Sequence, residues 1–149
     1  KQGEENRYKL LKIFKEDIHS ILLGTDSFWE GVDVEGEALQ GVILTKLPFK
    51  VPTDPVISAR CDYIKEHGGN PFNDYLVPQA IIKFRQGFGR LIRRKTDIGI
   101  VSVMDHRILT KSYGKKFLKS LPKTRTIFDS SEKVLIEVKA FLNENNKTR

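Results

Sequence analysis

A single cysteine, Cys61, is the first scarcity that matters in this chain of 149 residues. It excludes an internal disulfide, and alone it cannot complete a zinc or iron–sulfur site. On an amphipathic stretch and with no histidine partner in view, it reads as a small packed side chain rather than a nucleophile. His19, His67 and His106 are far apart and lack ligand spacing, so no metal is expected on this chain. No apolar run approaches the roughly 20 residues that span a bilayer, which leaves a membrane out of the expected partners. Neither a G-x-x-x-x-G-K-[ST] loop nor a D-E-x-H box occurs, so nothing here cradles phosphates or holds magnesium in the manner of those motifs. The opening KQGEENRYKL is unlike a signal peptide and already leads into a helical pattern. The expectation is a cytoplasmic protein, seen as a fragment of a longer chain. Without linkers, repeats or low-complexity tracts, residues 1–149 read as one domain.

What is present is ordinary in bulk and unusual in balance. Hydrophobic residues at 39% and charged ones at 30% are those of a globular chain. A net charge of +7 and a pI near 9.5 point to a polyanionic partner, nucleic acid or nucleotide. A protein that is merely basic is the plain alternative.

Glu4 to Ile18 has the spacing of an amphipathic helix, with Leu11, Phe14 and Ile18 inward. Ser20–Gly24 (SILLG), Gly41–Leu47 (GVILTKL) and Ile98–Met104 (IGIVSVM) read as buried strands, and Thr124–Phe128 as a short edge strand. Asp54 is placed to cap a helix that stops at Gly68-Gly69, and 70–78 reads as a connector. From Arg107 to Leu121 a lysine-rich helix carries Leu109, Tyr113 and Phe117 inward. Its Lys111, Lys115, Lys116 and Lys119 form a basic face, either solvated or lying along a nucleic-acid path. Ser130 or Ser131 opens a last helix with Val134, Val138 and Phe141 inward. Strands alternating with helices predict an α/β fold with a mainly parallel sheet. Ligands in such sheets sit beyond the carboxyl ends of the strands. The exits that matter are Thr25–Asp33, Pro48–Asp54 and Asp105–Arg107.

The stretch from Gln79 to Arg94, QAIIKFRQGFGRLIRR, runs without proline. Ile81, Phe84, Phe88 and Leu91 repeat at three and four residues, and so do Lys83, Gln86, Arg90 and Arg93 on the opposite face. Such a helix packs on a core and aims a glutamine and two arginines outward. Gly87 and Gly89 each cost about 1 kcal/mol relative to alanine in a helix interior, so their place beside Gln86 and Arg90 points to something approaching the backbone. A solvated basic helix is the competing reading.

Gln86-Gly87-Phe88-Gly89-Arg90-Leu91-Ile92-Arg93, a Q-x-x-G-R-x-x-R pattern, resembles motif VI of superfamily-two helicases. Gly24-Thr25-Asp26-Ser27-Phe28-Trp29-Glu30-Gly31-Val32-Asp33 resembles motif V of the same proteins. The F-W-E-G-V-D wording, with Leu47-Pro48-Phe49 and Asp54-Pro55 after it, is similar to the DinG/XPD-like branch. Asp105-His106-Arg107, Tyr113-Gly114 and Leu121-Pro122 extend the resemblance over nearly the whole chain, the last helix least of all.

The resemblance implies the second RecA-like domain of a DNA helicase, a three-layer domain of the P-loop NTPase type that itself has no phosphate loop. It implies that ATP and magnesium are shared with a first RecA-like domain, and that Arg90 and Arg93 are arginine fingers which Gln86 orients or accompanies onto the nucleotide. Charge placed by such an arginine against a breaking γ-phosphate is worth about 10³ to 10⁵ in rate. Asp33 could take the ribose hydroxyls or the finger arginines, with Glu30, Gly31 and Gly89 around the nucleotide; an ordinary turn carboxylate beside Gly31 is the alternative for Asp33. Thr25 and Ser27 could contact phosphates of single-stranded DNA, or simply cap. Trp29 could stack on a base, or pack. With half a site, the isolated chain is expected neither to hydrolyse ATP nor to unwind DNA. The resemblance further implies five-prime to three-prime movement, a role in repair or replication restart, and a bacterial source. The competing function is a degenerate, non-hydrolysing module that holds nucleic acid for another activity such as an attached nuclease.

Overall fold

A computed structural model describes residues 3, 6–25, 28, 34, 38–92 and 98–146. Two strands, β1 (Gly41–Leu44) and β2 (Ile100–Val103), pair in parallel, with Gly41 opposite Ile100 and Leu44 opposite Val103. Parallel neighbours need a crossover, and here it carries α2 (Pro55–Glu66), a π-helical turn (Phe72–Leu76) and α3 (Val77–Leu91). After β2 come α4 (Arg107–Thr110), α5 (Gly114–Ser120) and α6 (Ser131–Asn146), while α1 (Arg7–Glu16) precedes the sheet. Leu44, Leu47, Val77, Ala80, Phe84, Ile108 and Phe117 make the core, with Val42, Val101 and Val103 packed against it. The sheet therefore buries one face under α3, on which α5 packs in turn. Ile43, on the other face of β1, remains 69% exposed.

Local chemistry explains the best-defined elements. Asp54 accepts hydrogen bonds from the Val56 and Ile57 N–H groups at 2.9 and 3.3 Å, and Pro55 follows in the first turn, where its missing N–H costs nothing. The helix stops because Gly68 takes φ +77°, letting the Gly69 N–H return to the Ile64 carbonyl at 2.9 Å. Ser130 opens α6, its carbonyl accepting from the Val134 N–H at 3.0 Å.

Several expectations need correction. Ser20–Gly24 pairs with no strand among the described residues, and Ile21 and Leu23 are 85% and 60% exposed; an apolar run becomes a strand only where a neighbour completes its ladder. Thr124–Phe128 likewise forms no strand and is exposed throughout. The presumed connector is largely helical: Pro71–Leu76 leads directly into α3, and the Val77 N–H reaches back five residues to the Phe72 carbonyl. The wider turn precedes Pro78, which has no N–H to donate. The helix expected over 107–121 breaks at Lys111–Tyr113, and the break changes its phase. Ile108 is buried in place of Leu109, which is 57% exposed. Ile18 lies past the end of α1 and is also exposed, at 56%.

Candidate functional site

The buried stripe of α3 is Val77, Ala80, Phe84, Gly87 and Leu91, stepping by three and four. Ile81 and Phe88 flank it half-buried. Gly87 thus belongs to the packed side. Gly89 faces the other way, and a Cβ there would meet nothing within 4 Å. Gln86 is exposed and Arg90, one turn on, is half-exposed. The helix thus presents Gln86, Gly89 and Arg90 together on its outer side, and no part of the described chain accounts for the glycine at 89.

The helix is shorter than its sequence spacing predicts. It ends at Leu91, with Ile92 extended at φ −115° and ψ 103°. Arg93 lies outside the described residues, as do Ser27, Trp29, Glu30, Gly31 and Asp33. Of the Thr25–Asp33 exit, Thr25 is exposed and its carbonyl accepts from the Phe28 N–H at 3.1 Å. The Arg7 guanidinium lies 5.5 Å from the centre of the Phe28 ring, joining α1 to this turn.

The other two exits are tied to one another. Because β1 and β2 are parallel, Leu44 and Val103 end side by side, and the Met104 N–H donates to the Leu44 carbonyl at 2.8 Å. Asp105 follows, only 7% exposed. Its carboxylate accepts from the Leu47 N–H at 2.9 Å, the Arg107 N–H at 3.1 Å, Arg107 Nε at 2.9 Å and Arg107 Nη2 at 2.6 Å. The hydrogen bonds from the Arg107 side chain, with those from the two backbone N–H groups, outweigh burial and hold the carboxyl far below the usual carboxylate range. The same pairing raises Arg107 further. Arg107 also lies 5.6 Å over the Phe49 ring, and Phe49 meets Phe72, Tyr113 and Phe117 at centroid distances of 5.6, 5.5 and 5.8 Å. This clamp fixes the Leu47-Pro48-Phe49 exit to the Asp105–Arg107 exit. Sequence reading marked both as polar exits without joining them; the signal was an aspartate two residues before an arginine at a strand end.

A groove of about 210 Å³ borders the outer side of α3, between Arg85, Gly89 and Ile92 on one wall and Ser120, Leu121 and Pro122 on the other. Among the described residues no group of three or more His, Cys, Asp or Glu side chains gathers as a metal site, and no helix is long and apolar enough to cross a membrane. His67 is used locally, its Nδ1 2.8 Å from the Tyr63 carbonyl and its ring stacked on Tyr63 at 4.1 Å.

A parallel sheet with a Q-x-x-G-R helix laid across it is the arrangement that the helicase resemblance requires, and comparison with known proteins decides the matter. The family model described as "Helicase C-terminal domain" matches residues 1–124. The chain belongs to that family. Within it the relatives are DinG-like. The chain is 51% identical over 121 residues to the ATP-dependent DNA helicase YoaA of Haemophilus influenzae, covering 81% of this chain and 19% of that protein. It is 46% identical over 134 residues to the ATP-dependent DNA helicase DinG of Photobacterium profundum, covering 87% and 19%. It is also 46% identical over 116 residues to the 3'-5' exonuclease DinG of Bacillus subtilis, covering 78% and 12%. This helicase C-terminal domain thus spans about a fifth or less of the relatives it matches. Its α/β architecture with parallel strands accords with a RecA-like fold.

Proposed function

We propose that this chain is the second motor domain of a DinG-like, ATP-dependent DNA helicase, and that it supplies one wall of the ATP site. The observation that carries the reading is the outer side of α3, where Gln86 and Arg90 stand one turn apart beside a glycine that the fold itself leaves open. An arginine in that position, brought against ATP by closure of the two motor domains, places charge where the γ-phosphate bond breaks. Arg90 and Arg93 are the fingers. Gln86 orients them, and Gly89 lets the helix backbone come close to the nucleotide. Asp33, Glu30 and Gly31 line the ribose side of the cleft, while Thr25, Ser27 and Trp29 face single-stranded DNA. The first motor domain contributes the phosphate loop and the carboxylates for magnesium. Closure on ATP and reopening after hydrolysis move the strand.

The test is DNA-stimulated ATPase of the full-length protein carrying Arg90→Ala or Arg93→Ala. Turnover falls on the order of 10³-fold in each, while single-stranded DNA binding stays within a few-fold. Unchanged turnover in both variants overturns the assignment.

A second reading rests on one observation: the Bacillus subtilis relative is named an exonuclease. In that reading the helicase fold holds nucleic acid for an attached nuclease and does not hydrolyse ATP. Full-length protein that degrades DNA without any ATP turnover would favour it.

A further inference from the structure

The excess positive charge of this chain is not spread over it. Residues 106–128 hold seven of the 26 lysines and arginines and none of the 19 aspartates and glutamates, which leaves 19 against 19 elsewhere and places the whole +7 here. Two of the seven are neutralised locally, Arg107 by Asp105 at 2.6 Å and Arg125 by Glu137 at 2.6 Å. The other five, Lys111, Lys115, Lys116, Lys119 and Lys123, are exposed and make no ion pair with any carboxylate among the described residues. On other helices exposed lysines do find acids one turn away, as Lys12 finds Glu16 and Lys133 finds Asp129.

The fold turns these lysines into a ridge. Phe117 is completely buried, edge-on to Phe84 at 5.4 Å, which anchors the inner face of α5 on α3. At roughly 100° per residue Lys115, Lys119 and Lys116 then share an arc of about 100° on the opposite side. Gly114 sets the phase, since any Cβ there would run into the Ile108 carbonyl.

The aromatic rings of α5 and of the turn before it do not join the ridge. Phe117 is in the core, and Tyr113 is half-buried against Phe49 and Phe72. Single strands are held by charge together with rings on which bases stack. A ridge of charge alone suits a polyanion whose bases are covered. We propose that the α5 ridge docks on the phosphate backbone of duplex DNA, the double-stranded flank of the substrate whose single strand the motor domains hold. This deepens the helicase reading and rests on it for the identity of the substrate.

The experiment measures binding of the full-length protein, without nucleotide, to a blunt duplex and to a single-stranded oligonucleotide by fluorescence anisotropy across a salt series. The variants are K115Q/K116Q/K119Q and, as a charge-conserving control, K115R/K116R/K119R. In the glutamine variant duplex affinity falls at least tenfold, and the slope of log affinity against log salt becomes shallower by about 2 to 3, one contact being worth about 0.9. Single-strand affinity and ATPase on saturating single strands stay as in the wild type, and the arginine variant behaves as the wild type on both DNAs. Unchanged duplex affinity and slope in the glutamine variant overturns the proposal. So does an equal loss on single strands, which would make the ridge part of the single-strand track. Duplex binding is read without turnover, so a protein lacking ATPase would refute the motor reading while leaving this result interpretable.

Discussion

Gly89 and Gly87 sit two residues apart and do opposite things. Gly87 is buried within the packed stripe of α3, while a Cβ on Gly89 would enter open space. Inside the described chain an alanine at 89 is therefore free of clashes and a better helix former by about 1 kcal/mol. Gly89→Ala is expected to raise the melting temperature of the full-length protein slightly and yet to lower DNA-stimulated ATPase at least tenfold, because in the proposed arrangement the methyl group intrudes where the nucleotide would approach. Thermal denaturation and turnover measured on the same preparation check both halves. The sequence marked both glycines as odd for a helix, but only packing could show which one faces the core.

Asp105 is the other residue with an outcome of its own. Its carboxyl is held far below its unfolded value by Arg107 and two backbone N–H groups, so its ionised form stabilises the fold above about pH 4, the unfolded carboxylate range. That contribution drains away as the pH falls further, toward the depressed native value. Asp105→Asn is expected to cost about 2 kcal/mol at neutral pH, in keeping with the loss of charge-assisted hydrogen bonds, and to flatten the fall in melting temperature between pH 5 and pH 3. A series of melting curves across that range decides it. An acid limb as steep as the wild type's would show that the clamp does not set this part of the stability.

At the scale of elements, helices with caps were legible and strands without neighbours were not. Asp54, Gly68 and Ser130 carry chemistry that acts within a few residues, so sequence alone placed the ends of α2 and the start of α6. SILLG and Thr124–Phe128 have strand-like composition, yet pairing is a property of two segments and no described strand pairs with either. The break between α4 and α5 was hidden for a similar reason. It depends on Gly114 lying under the Ile108 carbonyl, a contact between helices. Gly114→Ala forces those backbones apart at an expected cost of about 3 kcal/mol, the upper end of what overpacking takes. Hydrogen exchange on the full-length protein should then show faster exchange of amides from 107 to 120, with α2 unaffected.

For the whole molecule, the family was readable because its motifs are local strings, Q-x-x-G-R and the Gly24–Asp33 loop, and string patterns survive without a structure. The site itself was only partly readable. Gln86, Gly89 and Arg90 stand where the helical period put them, whereas the period also carried Arg93 onto α3, which ends at Leu91. Asp33 and its neighbours lie outside the described residues. The chain spans about a fifth of its helicase relatives, and in the proposed arrangement the outer side of α3 forms one wall of the ATP cleft.

An arginine finger binds the transition state more strongly than the ground state. The most direct measurement is therefore the affinity of full-length Arg90→Ala for ADP alone and for ADP with aluminium fluoride, a mimic of the phosphoryl group in transfer, each in the presence of single-stranded DNA. ADP affinity is expected to stay within a few-fold of wild type while the added affinity for the fluoride complex falls by on the order of 10³. An Arg90→Ala protein that traps the fluoride complex as tightly as the wild type would contradict it.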